Sequence, residues 1–241
     1  MEIIVHQAIL HVLDTTLDAP VLSGSCMEPT AEKTQLPFDL TIDNGTYDCL
    51  MWVDYIDASA TPSTRAEDGT SRYADKYYDT SNLKNITVID MNSLINNDAC
   101  DAFYFSGEVQ KIDGKALVLE PELVRPFAKV SVLEKNLREF NLLKGLEASY
   151  KAPAAFDIST GTVSGEATVV SLSIPTFNSA ATPDGTLFST YIFAGEEEGA
   201  MGEIQLSFTT KQGIQQVTIP ADLVPVLRNQ HIKVSGNMMN E

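Results

Sequence analysis

Leu123-Val124-Arg125-Pro126-Phe127-Ala128-Lys129-Val130-Ser131-Val132 lies almost at the midpoint of a 241-residue chain, and its reading decides the fold. Ala128, Val130 and Val132 fall on one face and Lys129 and Ser131 on the other, the period-2 alternation of a half-buried strand. Pro126 has no N–H to give to a ladder, so it belongs at the start of a strand or on an edge. The segment reads as the first strand of a second β domain, with the chain dividing near residues 120–125.

Towards the N-terminus, residues 2–13 are rich in Ile, Val and Leu without helical spacing and read as a strand covered on both faces. A polar stretch, 14–33, follows, broken by Pro20, Gly24 and Pro29. Phe38 to Asp43, Asn44-Gly45 and Thr46 to Tyr55 read as a hairpin, because a two-residue type I′ turn needs positive φ at both central positions. Its second arm puts Tyr47, Cys49, Met51, Val53 and Tyr55 on one face and Leu50 and Trp52 on the other. Residues 56–85 are polar and hold Arg65, Arg72, Tyr73, Tyr77 and Tyr78. Loops of that length are uncommon without a role. The tyrosines either stack on a sugar or clamp the loop to the body of the protein. Ile86 to Ile89 is a short strand, and Asp113-Gly114 signals a second hairpin between Phe103–Lys111 and Lys115–Leu119.

Towards the C-terminus, Leu137 to Leu146 reads as a short helical turn or an irregular crossover. Strands are expected at Glu147–Ala152, Ala167–Ile174, Leu187–Ala194, Ile204–Thr209, Ile214–Ile219 and Val226–Val234. Recurrent strands without a long amphipathic helix are a β-sandwich pattern. The expected fold is all-β, with domains at 1–122 and 123–241.

Net charge is −17, and the 16 Lys and Arg residues are scattered, which argues against a nucleic-acid partner. The acidity reads as solubility, or as calcium binding at a carboxylate cluster. Asp90-Met91-Asn92 begins like a calcium loop but continues without the required glycine, and Glu196-Glu197-Glu198 reads as a solvated turn. Cys26, Cys49 and Cys100 have no C-x-x-C spacing, and their redox state stays open. No stretch approaches the length of a membrane span. No secretion signal is recognisable, so either the protein is cytosolic or its leader lies outside this chain.

Catalytic signatures are lacking. His6 and His11 share neither a helix face nor a strand face, and His231 is remote from both. There is no G-x-S-x-G elbow and no glycine-rich phosphate loop. The reading assigns no catalytic, cofactor-binding or metal residue, no cofactor and no enzymatic activity. Asn44-Gly45-Thr46 and Asn85-Ile86-Thr87 match the N-glycosylation pattern, which is common by chance.

Four segments in order carry a resemblance. Thr46 to Tyr55 (TYDCLMWVDY), Asp75 to Thr80 (DKYYDT), Val124 to Val130 (VRPFAKV) and Leu227 to Gly236 (LRNQHIKVSG) resemble the fimbrillin-like cell-surface proteins of Bacteroides and its relatives. The resemblance implies two tandem transthyretin-like Greek-key β-sandwich domains. It also implies a lipoprotein leader, outer-membrane display, and a role in fimbriae or adhesion. Partners would be other fimbrial subunits or the chain itself, joined by strand exchange, with a host protein or glycan as receptor. Membrane contact would come only through a lipid anchor that this chain does not contain. Residues 2–13 would be the removable strand. Three departures accompany the resemblance: no lipid-bearing leader cysteine, no arginine before Arg65 for early tryptic cleavage, and an end at Glu241 soon after the last strand. The last points towards a tip, accessory or stand-alone adhesin. The alternative reading is a glycan-binding module of an outer-membrane lipoprotein, resting on Trp52 and the tyrosines.

Overall fold

The computed structural model describes residues 4–14, 20–29, 41–57, 62–64, 71–73, 75–113, 115–116 and 119–239, with side chains described within 41–55 and from 75 onward. The chain forms two compact units. The first holds Met1–Ile89, Ala99–Pro126 and Ala155–Thr162; the second holds Asp90–Asp98, Phe127–Ala154 and Val163–Glu241.

The first unit contains β1 (Ile4–Asp14), β2 (Pro20–Pro29), β3 (Gly45–Asp57), β4 (Pro62–Thr64), β5 (Ser71–Tyr73), β6 (Tyr78–Asp79), β7 (Ile86–Val88) and β8 (Ala102–Lys111). Its main sheet is antiparallel, in the order β2-β1-β3-β8. β1 is interior: it pairs with β2 on one side and with β3, from Ile4↔Asp57 to Asp14↔Tyr47, on the other. Alternation along β3 covers both faces. Tyr47, Cys49, Met51 and Val53 pack with Val109, while Leu50 and Trp52 are buried on the opposite side.

The second unit contains β9 (Phe127–Glu134), α1 (Leu137–Phe140), β10 (Gly145–Asp157), β11 (Thr162–Ile174), β12 (Thr186–Phe193), β13 (Gly199–Ala200), β14 (Ile204–Thr210), β15 (Gly213–Ile219), β16 (Pro225–Val226) and β17 (His231–Gly236). β9 is the centre of β12-β9-β17, antiparallel to β12 and parallel to β17. β10 pairs with β14, β14 with β15, and β11 with β10. Ala128, Val130 and Val132 of β9 and Phe188 and Ile192 of β12 meet Leu146, Ala148 and Tyr150 of β10 and Leu206 and Phe208 of β14 in one apolar core. Two sheets sharing their inner faces make a sandwich. Deep in that layer the Tyr150 hydroxyl donates to Thr190 Oγ1 at 2.8 Å. Ala155 and Phe156, near the end of β10, belong to the first unit and pair there with Thr87 and Ile86.

Five expectations need correction. Residues 41–43 form no strand, and neither Asn44 nor Gly45 has positive φ. Both edges of β3 are taken by β1 and β8, so no ladder position is left for a preceding arm; Phe38 to Leu40 lie outside the described residues. At Asp113, β8 has already ended, and residues 115–116 and 119–120 are not strand. The Lys111 ammonium instead donates to the carbonyls of Ile112 and Lys115. Residues 20–29, expected as loop, form β2 despite their breakers, because β1 supplies a partner. The last strand is two pieces, β16 and β17, parted by a turn in which Asn229 has φ 60°. β9 also differs from a half-buried strand: its second face is covered too, Ser131 being 4% exposed and Phe127 1%.

Candidate functional site

The aromatic residues singled out for sugar stacking in the first unit are buried. Trp52 and Tyr78 are fully enclosed and Tyr77 nearly so. The Trp52 and Tyr78 rings meet edge to face at 5.2 Å, and the Tyr78 hydroxyl donates to the Cys100 carbonyl. None of the three presents a face to a ligand. The Tyr73, Arg65 and Arg72 side chains lie outside the described residues.

Beside this cluster sits a carboxyl that sequence reasoning passed over. Asp54, next to Trp52 on β3, is 3% exposed and accepts a hydrogen bond from Trp52 Nε1 at 3.2 Å on Oδ2. Its Oδ1 has no partner among the described residues. Burial raises its pKa to about 7, and the Asp75 charge adds to this, while the Trp52 bond works the other way. Its signal in the sequence is faint, since an Asp beside a tryptophan in a strand is ordinarily solvent-facing.

Cys49 and Cys100 are buried and form no disulfide among the described residues. Burial pushes the Cys49 thiol up to about 11, which leaves it protonated and unreactive at neutral pH. The Cys26 side chain lies outside the described residues.

In the second unit, the outer face of β12-β9-β17 carries a polar network. Ser131 Oγ lies 2.8 Å from His231 Nε2 and 2.7 Å from Ser189 Oγ. Lys129 Nζ meets Asp98 Oδ1 at 2.6 Å, and the Tyr191 hydroxyl donates to the same oxygen at 3.1 Å. Desolvation lowers the His231 pKa, and Lys129 and Lys233 lower it further. Asp98 is held below the usual carboxylate range, chiefly by the hydrogen bond from Lys129. Ser131 and His231 resemble half of a nucleophile–base arrangement. The rest is missing: no acidic side chain among the described residues bonds the other ring nitrogen, and Ser131 is enclosed in mid-strand. The network ties three strands together. His231, remote in sequence from the other histidines, is therefore a bonded structural residue. His6 and His11 side chains lie outside the described residues.

Asp90-Met91-Asn92 opens a short 3-10 turn, in which Asp90 Oδ1 accepts the Asn92 N–H at 3.0 Å. Glu196 pairs with Arg228. Among the described residues, no group of three acidic, Cys or His side chains is placed to hold a metal.

The segment 90–98 instead protects sheet edges. Asn96 N–H donates to the Ser189 carbonyl at 2.8 Å, and its Oδ1 accepts the Ser189 N–H at 2.8 Å. Ile95 bridges Thr190, and Asn92 Oδ1 accepts the Ser171 N–H of β11 at 3.3 Å. Asn96 has φ 52°, a left-handed conformation that Asn tolerates better than most residues. Glu134 has a matching role at the end of β9: Oε2 accepts the backbone N–H groups of Met238 and Met239, and Oε1 that of Asn136. On the outward face of β10, β14 and β15, cross-strand rows Glu147–Ser207–Gln216 and Ser149–Gln205–Thr218 line a shallow polar trough.

With the geometry described, comparison with known sequences adds the family. A profile for DUF6562, a family of unknown function, matches residues 19–241. The chain belongs to that family. No curated protein matches it. Solved structures similar to this member of DUF6562 include three from Bacteroides. One is a candidate polysaccharide binding protein (DUF1812) from Bacteroides thetaiotaomicron, 14% identical, TM-score 0.57, covering 89% of this chain and 72% of its own. A candidate cell adhesion protein from Bacteroides uniformis is 14% identical, TM-score 0.50, covering 97% and 88%. A candidate adhesin from Bacteroides ovatus is 9% identical, TM-score 0.50, covering 88% and 68%. At these identities the likeness is one of fold: the chain shares their all-β architecture. No described helix is long and apolar enough to cross a membrane.

Proposed function

We propose that this DUF6562 member is a non-enzymatic cell-surface adhesin or fimbrial subunit, or an accessory protein of such a fimbria. In this reading it is carried to the outer membrane by a lipid anchor outside this chain and joins other subunits, or itself, by β-strand complementation. Its working division is two tandem β-sandwich domains, 1–122 and 123–241. The supporting observation is the place of β1. It runs between β2 and β3, and its withdrawal would leave two facing ladders of unpaired N–H and C=O groups. A strand from another subunit can satisfy both by β-augmentation, with backbone bonds supplying affinity and alternate side chains supplying register.

The test is light scattering on the chain before and after removal of residues 1–14. Growth into a series of multiples after trimming is the expected result. A trimmed chain that stays monomeric and as stable as the intact one overturns the reading.

A second reading, a glycan-binding surface module, shifts from the enclosed tyrosines to the hydroxyl and amide groups of the trough. A glycan array on which Gln205→Ala and Gln216→Ala abolish binding supports it, and an array without hits removes it.

A further inference from the structure

We propose that the outer edge of β15 is a self-pairing surface, at which two copies of this chain join antiparallel about a two-fold axis and continue the β14–β15 sheet from one molecule into the next. The inference goes beyond the adhesin reading and does not depend on β1.

It rests on a contrast among the edges of the second unit. Exposed edges invite pairing with another chain, and proteins blunt them with covers, charges, bulges or prolines. The edge of β12 is covered by Ile95 and Asn96. β11 carries Glu166 and a positive-φ glycine, Gly165 (φ 77°), and its Ser171 N–H is capped by Asn92. β17 carries His231 and Lys233. β15 has no such cover and no charge, and its positive-φ glycine, Gly213 (φ 137°), lies at its first residue, by the turn. Gly213-Ile214-Gln215-Gln216-Val217-Thr218-Ile219 contains no charge and no proline, and it pairs with β14 without a register shift. Among the described residues, no backbone group outside β14 bonds to it. Such uncharged β-prone runs are the segments that add strands most readily.

The strand is also held rigid for the purpose. Val217 packs against the core, and Gln215 Nε2 donates to the Met238 carbonyl at 3.1 Å. Ile214, Gln216 and Thr218 are left outward, with Ile214 71% exposed. Two chains of net charge −17 repel one another, so a second copy is best met along an uncharged strand. The longest antiparallel register centres on Gln216. It sets Gln216 opposite its own copy and Ile214 opposite Thr218 across the axis, an isologous interface. A seven-residue ribbon buries less than the ~1,200 Å² of a stable complex, so the dimer is weak and concentration-dependent.

Sedimentation velocity across a wide concentration range tests the proposal on the intact chain, with Gln216→Lys and Gln216→Glu. Like charges directly opposite are destabilising and opposite charges are favourable. The wild type is expected to shift towards dimer as concentration rises. Each variant alone is expected to stay monomeric, and an equimolar mixture to recover the dimer, which also shows that both variants fold. A wild type that is monomeric throughout, or a dimer unaffected by either substitution, overturns the proposal. So does a mixture that stays monomeric.

Discussion

The two units protect their backbones in different ways. The second encloses an apolar core between two sheets, and around it Asn92, Asn96 and Glu134 occupy backbone groups that a sandwich leaves open. The first is organised around β3, with Tyr47, Cys49, Met51, Val53 and Val109 on one side and, on the other, Trp52, Tyr78 and Asp54, whose Oδ1 has no partner among the described residues. Its sheet is completed by β1, the first strand of the chain, lying inside rather than at an edge. A unit with its core closed and its edges covered everywhere but at β15 is suited to permanence. Under the proposed function, the unit whose sheet is bridged by β1 is the one that would take a replacement strand.

The largest effect should come from the core of the second unit. Phe208→Ala is expected to cost about 3–5 kcal/mol in denaturant unfolding, since an enclosed ring leaves a cavity that its neighbours fill only in part. Met51, in the cluster on β3, is 9% exposed, and Met51→Ala is expected to cost about 2 kcal/mol, near the low end for such truncations. Equal costs would erase the contrast between the two cores.

Next comes pH. The Asp54 carboxyl titrates near 3.8 in an unfolded chain and near 7 in the folded one. Between those values the folded protein holds a proton that the unfolded chain has released. Its contribution to stability is therefore fully present below about pH 4, declines as pH rises to about 7, and is level above that. The decline is on the order of 4 kcal/mol at 1.36 kcal/mol per unit. Asp54→Asn should remove this slope and make the variant relatively more stable at pH 8, measured by thermal unfolding across pH.

A smaller loss is expected at the edge cover. Asn96→Ala removes an acceptor from Ser189 and places alanine in a left-handed conformation, together about 1–2 kcal/mol. Hydrogen exchange at the Ser189 amide should accelerate. Asn96→Gly should relieve the strain but not the lost acceptor. The smallest effect belongs to Lys129→Met. Its partner Asp98 is 75% exposed, so the loss is expected to stay below about 1 kcal/mol, which would identify Asn96 rather than the ion pair as the fastener of segment 90–98.

Alternation made the strands of the second unit legible before any coordinates: Ala128, Val130 and Val132, and Ile204, Leu206 and Phe208, face the core as their spacing requires. The Asn44-Gly45 hairpin was misread because turn chemistry says where a chain can reverse, not whether a sheet edge is available to receive the arm. Pro20, Gly24 and Pro29 concealed β2 because local breakers are outweighed when a long neighbour such as β1 supplies a ladder. The edge-protecting roles of Asn92 and Asn96 were illegible for another reason: they depend on Ser171 and Ser189, far along the chain, and leave no periodicity. Tyr77 and Tyr78, which the sequence leaves open between sugar stacking and clamping, are folded inward: Tyr78 meets Trp52 edge to face and Tyr77 packs on Tyr78.

The most direct test of the account is strand replacement. A chain lacking residues 1–14 is titrated with a synthetic peptide of residues 4–14, and binding is followed by calorimetry alongside thermal unfolding. The account predicts a destabilised trimmed chain that binds the peptide and regains the intact protein's unfolding temperature. A trimmed chain that is already as stable as the intact protein and takes up no peptide would contradict it, leaving β1 a dispensable strand.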